Sequence, residues 1–580
     1  MKTLRDQLAR KFEDAIHKAF SQKISEPVQA EIAICLQKEL GDYQCNNAMK
    51  LAKILRLSPL EIAKKIVSCV DLSENQKPSL IAKMEVAHPG FINIFIHPEY
   101  LSSELNQMLQ DPYLGIDKNQ KMKIVVDFSS PNVAKELHVG HLRSTIIGDS
   151  IANLFEFLGH DVLRLNHIGD WGTQFGMLIA YMKKTHLSIK ENVDTAELTI
   201  WYKQAKKLFD EDPIFAQVAR SEVRLLQDGD PQSIEIWKKI CNISRKAFHE
   251  IYEFLGINII ERGESFYNPY LKQIVDDCEK KKLVTISEGA KCIMLENYKN
   301  REGNPLPIII QKSDGAYNYD TTDLAGFWHR CQIEEADRII IVTDQGQSLH
   351  FKMIYDAAIL AGYIDPQKTR FDHVGFGLVL GPDGKKFKTR SGETEKLIDL
   401  LKEAVFTAKN ILKERLPDIS DTELNEMAKI LGMAAIKYAD LSCHRLKDYS
   451  FSYERMLSFE GNTAAFLLYA YVRILGIKRK TGKEDKKIQA LIKAQHPQEI
   501  ALGLHLRRFS EILDMMAQEL LPNRLSDYLY ELAEKFNAFF RDCRVEGSVE
   551  EEQRLALCEL TAHVLEKGLH LLGIKTMKRM

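Results

Sequence analysis

No stretch of this 580-residue chain approaches the roughly 20 consecutive apolar positions that a membrane-spanning helix needs, which rules out membrane spanning by a helix, and no membrane partner is expected. Cysteine is sparse and scattered. The ten (Cys35, Cys45, Cys69, Cys241, Cys278, Cys292, Cys331, Cys443, Cys543, Cys558) include no C-x-x-C, so neither a zinc ribbon nor a disulfide framework is expected. An excess of one charge is missing as well: 79 Lys and Arg against 81 Asp and Glu leave a net charge of -2, and any basic surface for nucleic acid has to be local. There is no internal repeat and no low-complexity tract. The N-terminal segment MKTLRDQLARKFEDAIHKAF has neither an apolar signal core nor a small-residue cleavage site, so it is read as part of the fold and a cytoplasmic chain is expected. What remains, 45% apolar and 28% charged residues, is a globular protein of about three or four domains.

Residues 1–115 combine helical periodicity from Leu4 to Phe20 with a strand-like ending at 90–96, which predicts a small α+β domain. Asp111-Pro112, Gly115 and the charged run from Asp117 to Lys123 mark its end. Residues 124–128 form the first unambiguous strand. A loop, Ser129-Ser130-Pro131-Asn132, leads into a helix with Leu142, Ile146, Ile147, Ile151, Leu154, Phe155 and Leu158 on its apolar face and Gly159 as its stop. The next strand, 162–166, completes a βαβ unit. A second unit lies far downstream: strand 339–342, helix 349–360, strand 373–376. The fold class is therefore α/β, a split Rossmann-like, doubly wound parallel sheet over 120–404. Its insertion, about 178–300, reads mostly as helices. From 405 to 580 the pattern is all helical, with Ser420 and Glu423 spelling a capping box.

The sharpest local feature is His138-Val139-Gly140-His141, where the first loop turns into a helix. Unpaired backbone N–H groups and the helix dipole favour an anion there, Gly140 admits a close ligand, and two imidazoles can donate to phosphate oxygens. Chance places H-x-G-H only about 0.03 times in a chain of this composition. The second feature is the glycine-rich basic loop Gly381-Pro382-Asp383-Gly384-Lys385-Lys386-Phe387-Lys388-Thr389-Arg390-Ser391-Gly392 after the last strand. Such a loop can close over a polyphosphate, although taken alone it is as often merely solvated.

Together these two features, on a split sheet with a helical tail, resemble the HIGH and KMSKS signatures of class I aminoacyl-tRNA synthetases. The surroundings narrow the resemblance to the arginyl-tRNA synthetases: Ser129-Ser130-Pro131-Asn132-Val133-Ala134-Lys135-Glu136-Leu137-His138-Val139-Gly140-His141-Leu142-Arg143-Ser144, then Asn166-His167-Ile168-Gly169-Asp170-Trp171-Gly172, Tyr319-Asp320-Thr321-Thr322-Asp323, Gly461-Asn462-Thr463-Ala464 and Tyr469-Ala470-Tyr471-Val472-Arg473. One departure is informative. Phe387-Lys388-Thr389-Arg390-Ser391 stands where KMSKS is usual, and family members lacking the standard lysine often carry one ahead of HIGH, here Lys135. The resemblance then assigns Lys135 to phosphate, a role that competes with that of a plain helix-start lysine, and leaves Lys388 and Arg390 as the candidates of the loop.

The resemblance implies two steps. The carboxylate of L-arginine attacks the α-phosphorus of ATP, releasing pyrophosphate, and the arginyl group then passes to the terminal adenosine of tRNA(Arg). Positioning and charge stabilisation suffice for such chemistry, without a nucleophilic Cys or Ser. Mg2+ is expected with ATP, held through phosphate oxygens and water, and no zinc is expected. Carboxylates must meet a planar guanidinium, for which Asp323 leads; its competing role is to complement a helix dipole. By resemblance Tyr319, Asp323 and Gln347 line the amino-acid pocket, Ser130, Asn132 and His141 hold the α-amino and carboxylate end, and Asp127 adds negative charge. Adenosine is assigned to the strand end with Val374, Gly375 and Gly377, together with His138, Gly140 and His141, though a glycine pair at a sheet edge is as often plain packing. Tyr469, Tyr471 and Arg473, with the basic run from Lys478 to Lys487, are the candidates for anticodon contact by stacking and phosphate attraction, or equally for helix packing with a solvated end. A monomer is expected. Two other readings stay open: a tRNA-binding protein that no longer activates an amino acid, and a class I synthetase for another amino acid.

Overall fold

The computed structural model describes residues 2–24, 26–35, 40–72, 78–118, 120–187, 189, 193–299, 302–381, 384, 396–484, 486 and 488–580. At its centre five parallel strands lie in the order Arg370–Phe376, Arg338–Asp344, Lys123–Asp127, Asp161–Asn166, Ile260–Glu261. Strand Lys123–Asp127 has an uninterrupted apolar middle, Ile124-Val125-Val126, because both its faces are covered. Ile124 and Val126 pack into one core, and Val125, pointing the opposite way, packs into the other. Helix Val139–Phe157 covers the first face; Asn268–Lys280, Tyr319–Gln332 and Ser348–Leu360 cover the second.

Both βαβ units expected from the sequence are present. One runs Lys123–Asp127, Val139–Phe157, Asp161–Asn166, and the other Arg338–Asp344, Ser348–Leu360, Arg370–Phe376. Their helices lie on opposite faces, so the chain diverges where Lys123–Asp127 pairs with Arg338–Asp344 (Ile341 opposite Asp127). The crevice outside those strand ends is where open α/β sheets bind ligands.

Between the units the chain forms helices Thr173–Thr185, Thr195–Glu211, Pro213–Gln227 and Pro231–Leu255, then leaves the mostly helical expectation. Ile260–Glu261 joins the catalytic sheet as its fifth strand, and an antiparallel sheet follows, ordered Pro305–Gln311, Ala290–Lys299, Val284–Ser287. Two residues carry no periodicity, and Ala290–Lys299 is too mixed in burial to alternate cleanly.

The N-terminal part is a four-stranded antiparallel sheet, Ile32–Ile34, Tyr43–Cys45, Phe91–Ile96, Ile81–Ala87, flanked by helices including Leu4–Phe20. Beyond 396 long helices dominate, from Leu397–Arg415 to Glu551–Leu571. Ser420 caps Asp421–Leu441 by accepting the Glu423 N–H at 3.3 Å, without the reciprocal half of a capping box. The helical part is tied to the sheet by a short parallel pairing of Val379–Leu380 with Tyr449–Ser450 and by a fully buried ion pair, Arg143 Nε to Asp440 Oδ2, at 3.0 Å.

Candidate active site

A cavity of about 840 Å³ opens at the divergence point. Its wall includes Asp127 at the end of the first strand, Ser130 and Asn132 from the loop after it, and His138, Val139, Gly140 and His141 at the following helix start. Tyr319, Asp323, Gln347 and Gly377 also line it.

The loop is held in a conformation that ordinary residues avoid. Ser129, Ser130 and Ala134 all have positive φ (73°, 45° and 61°), at a cost of order 1–3 kcal/mol each. Each of their N–H groups is taken by a side chain of a different element: Ser129 donates to Ser144 Oγ (2.9 Å), Ser130 to Asn166 Oδ1 (3.0 Å), Ala134 to Ser244 Oγ (3.0 Å). Asn132 bridges to Gly169, whose N–H donates to the Pro131 carbonyl, and a Cβ on Gly169 would collide with the Asn132 side chain.

At the helix start the two histidines form a reciprocal cap. The Gly140 N–H donates to His138 Nδ1 (3.1 Å) and the His138 N–H to His141 Nδ1 (3.2 Å). Because each Nδ1 accepts, each ring carries its proton on Nε2, which makes both imidazoles N–H donors. Their ring centroids are 4.1 Å apart. Burial, then the penalty of a second positive charge beside the His138 imidazole, pushes His141 down to about 3, so it works as a neutral ring.

The same cavity wall carries an acidic cluster. Asp323 Oδ2 lies 2.6 Å from His350 Nε2, and Asp323 Oδ1 is 4.0 Å from His167 Nε2. Glu264, at the same wall, is pushed up to about 8 by burial and then by Asp323 and Asp170. Burial alone would lower His350; its hydrogen bond to Asp323 and the charges of Asp323 and Asp320 outweigh that and raise it. Gln347 donates to Asp344 Oδ2 (2.6 Å). His350, His167 and Glu264 are additions to the sequence reading. Glu264 sits in a short turn that only the tertiary fold carries to Asp323, whereas His350 lies three residues from Gln347 and is within reach of a helix-face argument.

Several expectations change. The Asp127 carboxylate is not available for a substrate cation: it forms a buried ion pair with Arg330, which neutralises it. Val374 is 1% exposed with its side chain in the core, so only its backbone could meet a ligand. A Cβ at Gly375 would run into Gln345, and one at Gly377 into Asp448 and the Lys447 backbone, so packing already requires both glycines. Lys135 is exposed and outside the cavity wall, its Nζ 5.4 Å from the Tyr202 ring centroid. Lys388 and Arg390 lie outside the described residues.

Tyr469 and Arg473 line a groove of about 650 Å³ on the helical part, together with Lys480, Phe540, Arg541 and Arg544. The Arg473 guanidinium lies 4.8 Å from the Tyr469 ring and 5.3 Å from that of Phe540. Tyr471 faces inward and its hydroxyl donates to Glu566 (3.2 Å), because its side of the helix packs on the last helix. Three basic side chains of the run are paired: Lys478 with Glu559 at 2.7 Å, Arg479 with Glu484 at 3.6 Å, and Lys483 with Glu552.

A split parallel sheet with paired histidine donors at its divergence point and a helical tail tied to the last strand defines a class I aminoacyl-tRNA synthetase. Residues 104–453 match the family model for tRNA synthetases class I (R), catalytic domain. Residues 6–96 match the arginyl tRNA synthetase N terminal domain, and 467–580 the DALR anticodon binding domain. The arginine–tRNA ligase of Protochlamydia amoebophila is 56% identical and that of Chlamydia abortus 50%, each alignment covering 100% of both chains. Among solved structures, the arginyl-tRNA synthetase of Plasmodium falciparum superposes with a TM-score of 0.86 at 34% identity over 100% of both chains. That of Thermus thermophilus gives 0.79 at 25%, covering 99% of this chain and 100% of the other. The chain belongs to the arginyl-tRNA synthetase family.

Proposed function

We propose that the cavity between His138, His141 and Asp323 is where L-arginine and ATP meet. The reaction is that of the family: arginine is activated to arginyl-adenylate with release of pyrophosphate, and the arginyl group is transferred to the terminal adenosine of tRNA(Arg). What supports the placement is a single relationship, two imidazole N–H donors lining the same cavity as Asp323 and Glu264.

A guanidinium suits that acidic cluster. Its planar fork can engage two carboxylates, and its charge draws the proton from Glu264. The α-amino and carboxylate groups then reach Ser130, Asn132 and His141, and Tyr319 and Gln347 close over the side chain. His138 and His141, through their Nε2–H groups, donate to oxygens on which charge builds as the carboxylate attacks the α-phosphorus. The base lies against Gly377 and the backbone of Val374. Lys388 and Arg390 supply positive charge for the leaving pyrophosphate. Magnesium enters with ATP through the phosphate oxygens; among the described residues no group of three or more His, Cys, Asp or Glu is placed to hold an ion.

Three regions follow: 1–115 against the outer body of the tRNA, 120–404 for catalysis with its insertion at about 178–300, and 405–580 for the anticodon, read by Tyr469 and Arg473. The chain works as a cytoplasmic monomer; among the described residues no helix is long and apolar enough to cross a membrane. Replacing Asp323 with Asn tests the placement. The KM for arginine should rise at least tenfold with that for ATP unchanged, and equal effects on both would remove Asp323 from the guanidinium end.

A further inference from the structure

In and behind the cavity wall, six polar groups from four elements form one continuous line. The Ser130 N–H meets Asn166 Oδ1 at 3.0 Å, and Asn166 Nδ2 meets the Tyr252 hydroxyl at 3.1 Å. That hydroxyl is 2.7 Å from Ser129 Oγ, which is 2.9 Å from Thr145 Oγ1, which in turn lies 2.6 Å from the His141 carbonyl. Ser129, Thr145, Asn166 and Tyr252 are each no more than 5% exposed, so water does not substitute for a lost partner.

The direction of every bond follows from counting protons. The His141 carbonyl can only accept, so the single Thr145 hydroxyl proton goes to it. The Ser129 hydroxyl must then donate to Thr145, and that of Tyr252 to Ser129. The Tyr252 oxygen is left to accept from the Asn166 amide, whose carbonyl oxygen thereby faces the Ser130 N–H. All donors point one way, from the strained loop to the second histidine. The one member that comes from neither the strand, the loop nor the histidine helix is Tyr252, on the insertion helix Pro231–Leu255.

We infer that Tyr252 is a positioning residue for amino-acid activation: it fixes the orientation of the Asn166 amide, holds Ser129 and Ser130 in their left-handed turn, and so sets Ser130, Asn132 and His141 in register with one another. This rests on reading the cavity as the arginine site. Without the phenolic hydroxyl the Asn166 amide is free to turn over, and an N–H would then oppose the Ser130 N–H. A misplacement of that kind disturbs the reacting geometry without removing any group that touches substrate.

The test is Tyr252→Phe, which keeps the ring and its packing, set beside Thr145→Val, the double variant, and Asp323→Asn as a control. Arginine-dependent pyrophosphate exchange is measured with each substrate varied in turn, together with the thermal midpoint. The expected result for Tyr252→Phe is a loss of about tenfold in kcat/KM for arginine, a KM for ATP within twofold of the parent and a nearly unchanged midpoint. The double variant should be no worse than about the larger single loss, because one break already severs the line. An unchanged kcat/KM for arginine would overturn the inference. So would equal losses for both substrates with a lowered midpoint, which mark a purely structural tyrosine, or a double loss equal to the product of the singles. If Asp323→Asn raises the arginine KM while Tyr252→Phe does nothing, this inference alone fails; if Asp323→Asn also does nothing, the placement of arginine fails with it.

Discussion

His350 Nε2 lies 2.6 Å from Asp323 Oδ2, while its Nδ1 is 3.6 Å from Asp320 Oδ1, so one imidazole occupies the carboxylate that a guanidinium needs. Glu264 shares that wall and holds its proton up to about pH 8. Arginine must therefore displace protons as it binds. The sign is fixed: below pH 8 these groups are increasingly protonated, so arginine affinity falls as pH falls and levels off above about 8. The KM for arginine measured across pH 6.5 to 9 should drop by as much as about tenfold per pH unit at its steepest. Glu264→Gln should flatten that dependence.

His141 is kept neutral by burial and by His138, with a pKa of about 3. Its removal acts through the lost N–H donor. His141→Ala should lower kcat by about 10²-fold or more, the usual size for a donor to developing charge. His141→Gln, which can place an N–H at the reach of Nε2, should recover part of that loss in single-turnover adenylate formation.

The Arg143–Asp440 pair is wholly buried and Arg143 also donates to the carbonyls of Lys447 (3.1 Å) and Arg445 (3.3 Å). Asp440→Asn leaves an uncompensated buried charge and should cost about 3–5 kcal/mol in chemical denaturation. Replacing both partners together, Arg143→Met with Asp440→Leu, should cost less than the single change.

In the C-terminal groove Phe540 is 41% exposed beside Arg473 and Arg544. Phe540→Ala should weaken binding of labelled tRNA by about tenfold through a lost stacking surface. Lys480→Ala and Arg544→Ala should each lower the salt slope of binding by about one.

Much of the architecture was legible because its signals are local. The strand at 124–128 and the helix after it show buried-strand and helical periods within 40 residues, and H-x-G-H sits between them. The acidic wall was only half legible: Asp323 lies in a recognisable motif, whereas Glu264 is carried to it by a fifth strand only two residues long. Asp127 was read wrongly for the same reason. Its partner Arg330 is 203 residues away, and no local pattern announces a long-range ion pair. Tyr471 and Tyr469 are two apart on one helix, so they face different ways; the sequence placed them together and the packing separates them.

The most direct measurement is exchange of labelled pyrophosphate into ATP, with and without tRNA, with arginine as substrate and lysine and glutamine as competitors. Exchange that requires arginine, that lysine does not support, and that Asp323→Asn suppresses is the predicted result. Exchange driven equally by lysine, or arginine-dependent exchange untouched by Asp323→Asn, would contradict the placement of the guanidinium between Asp323 and Glu264.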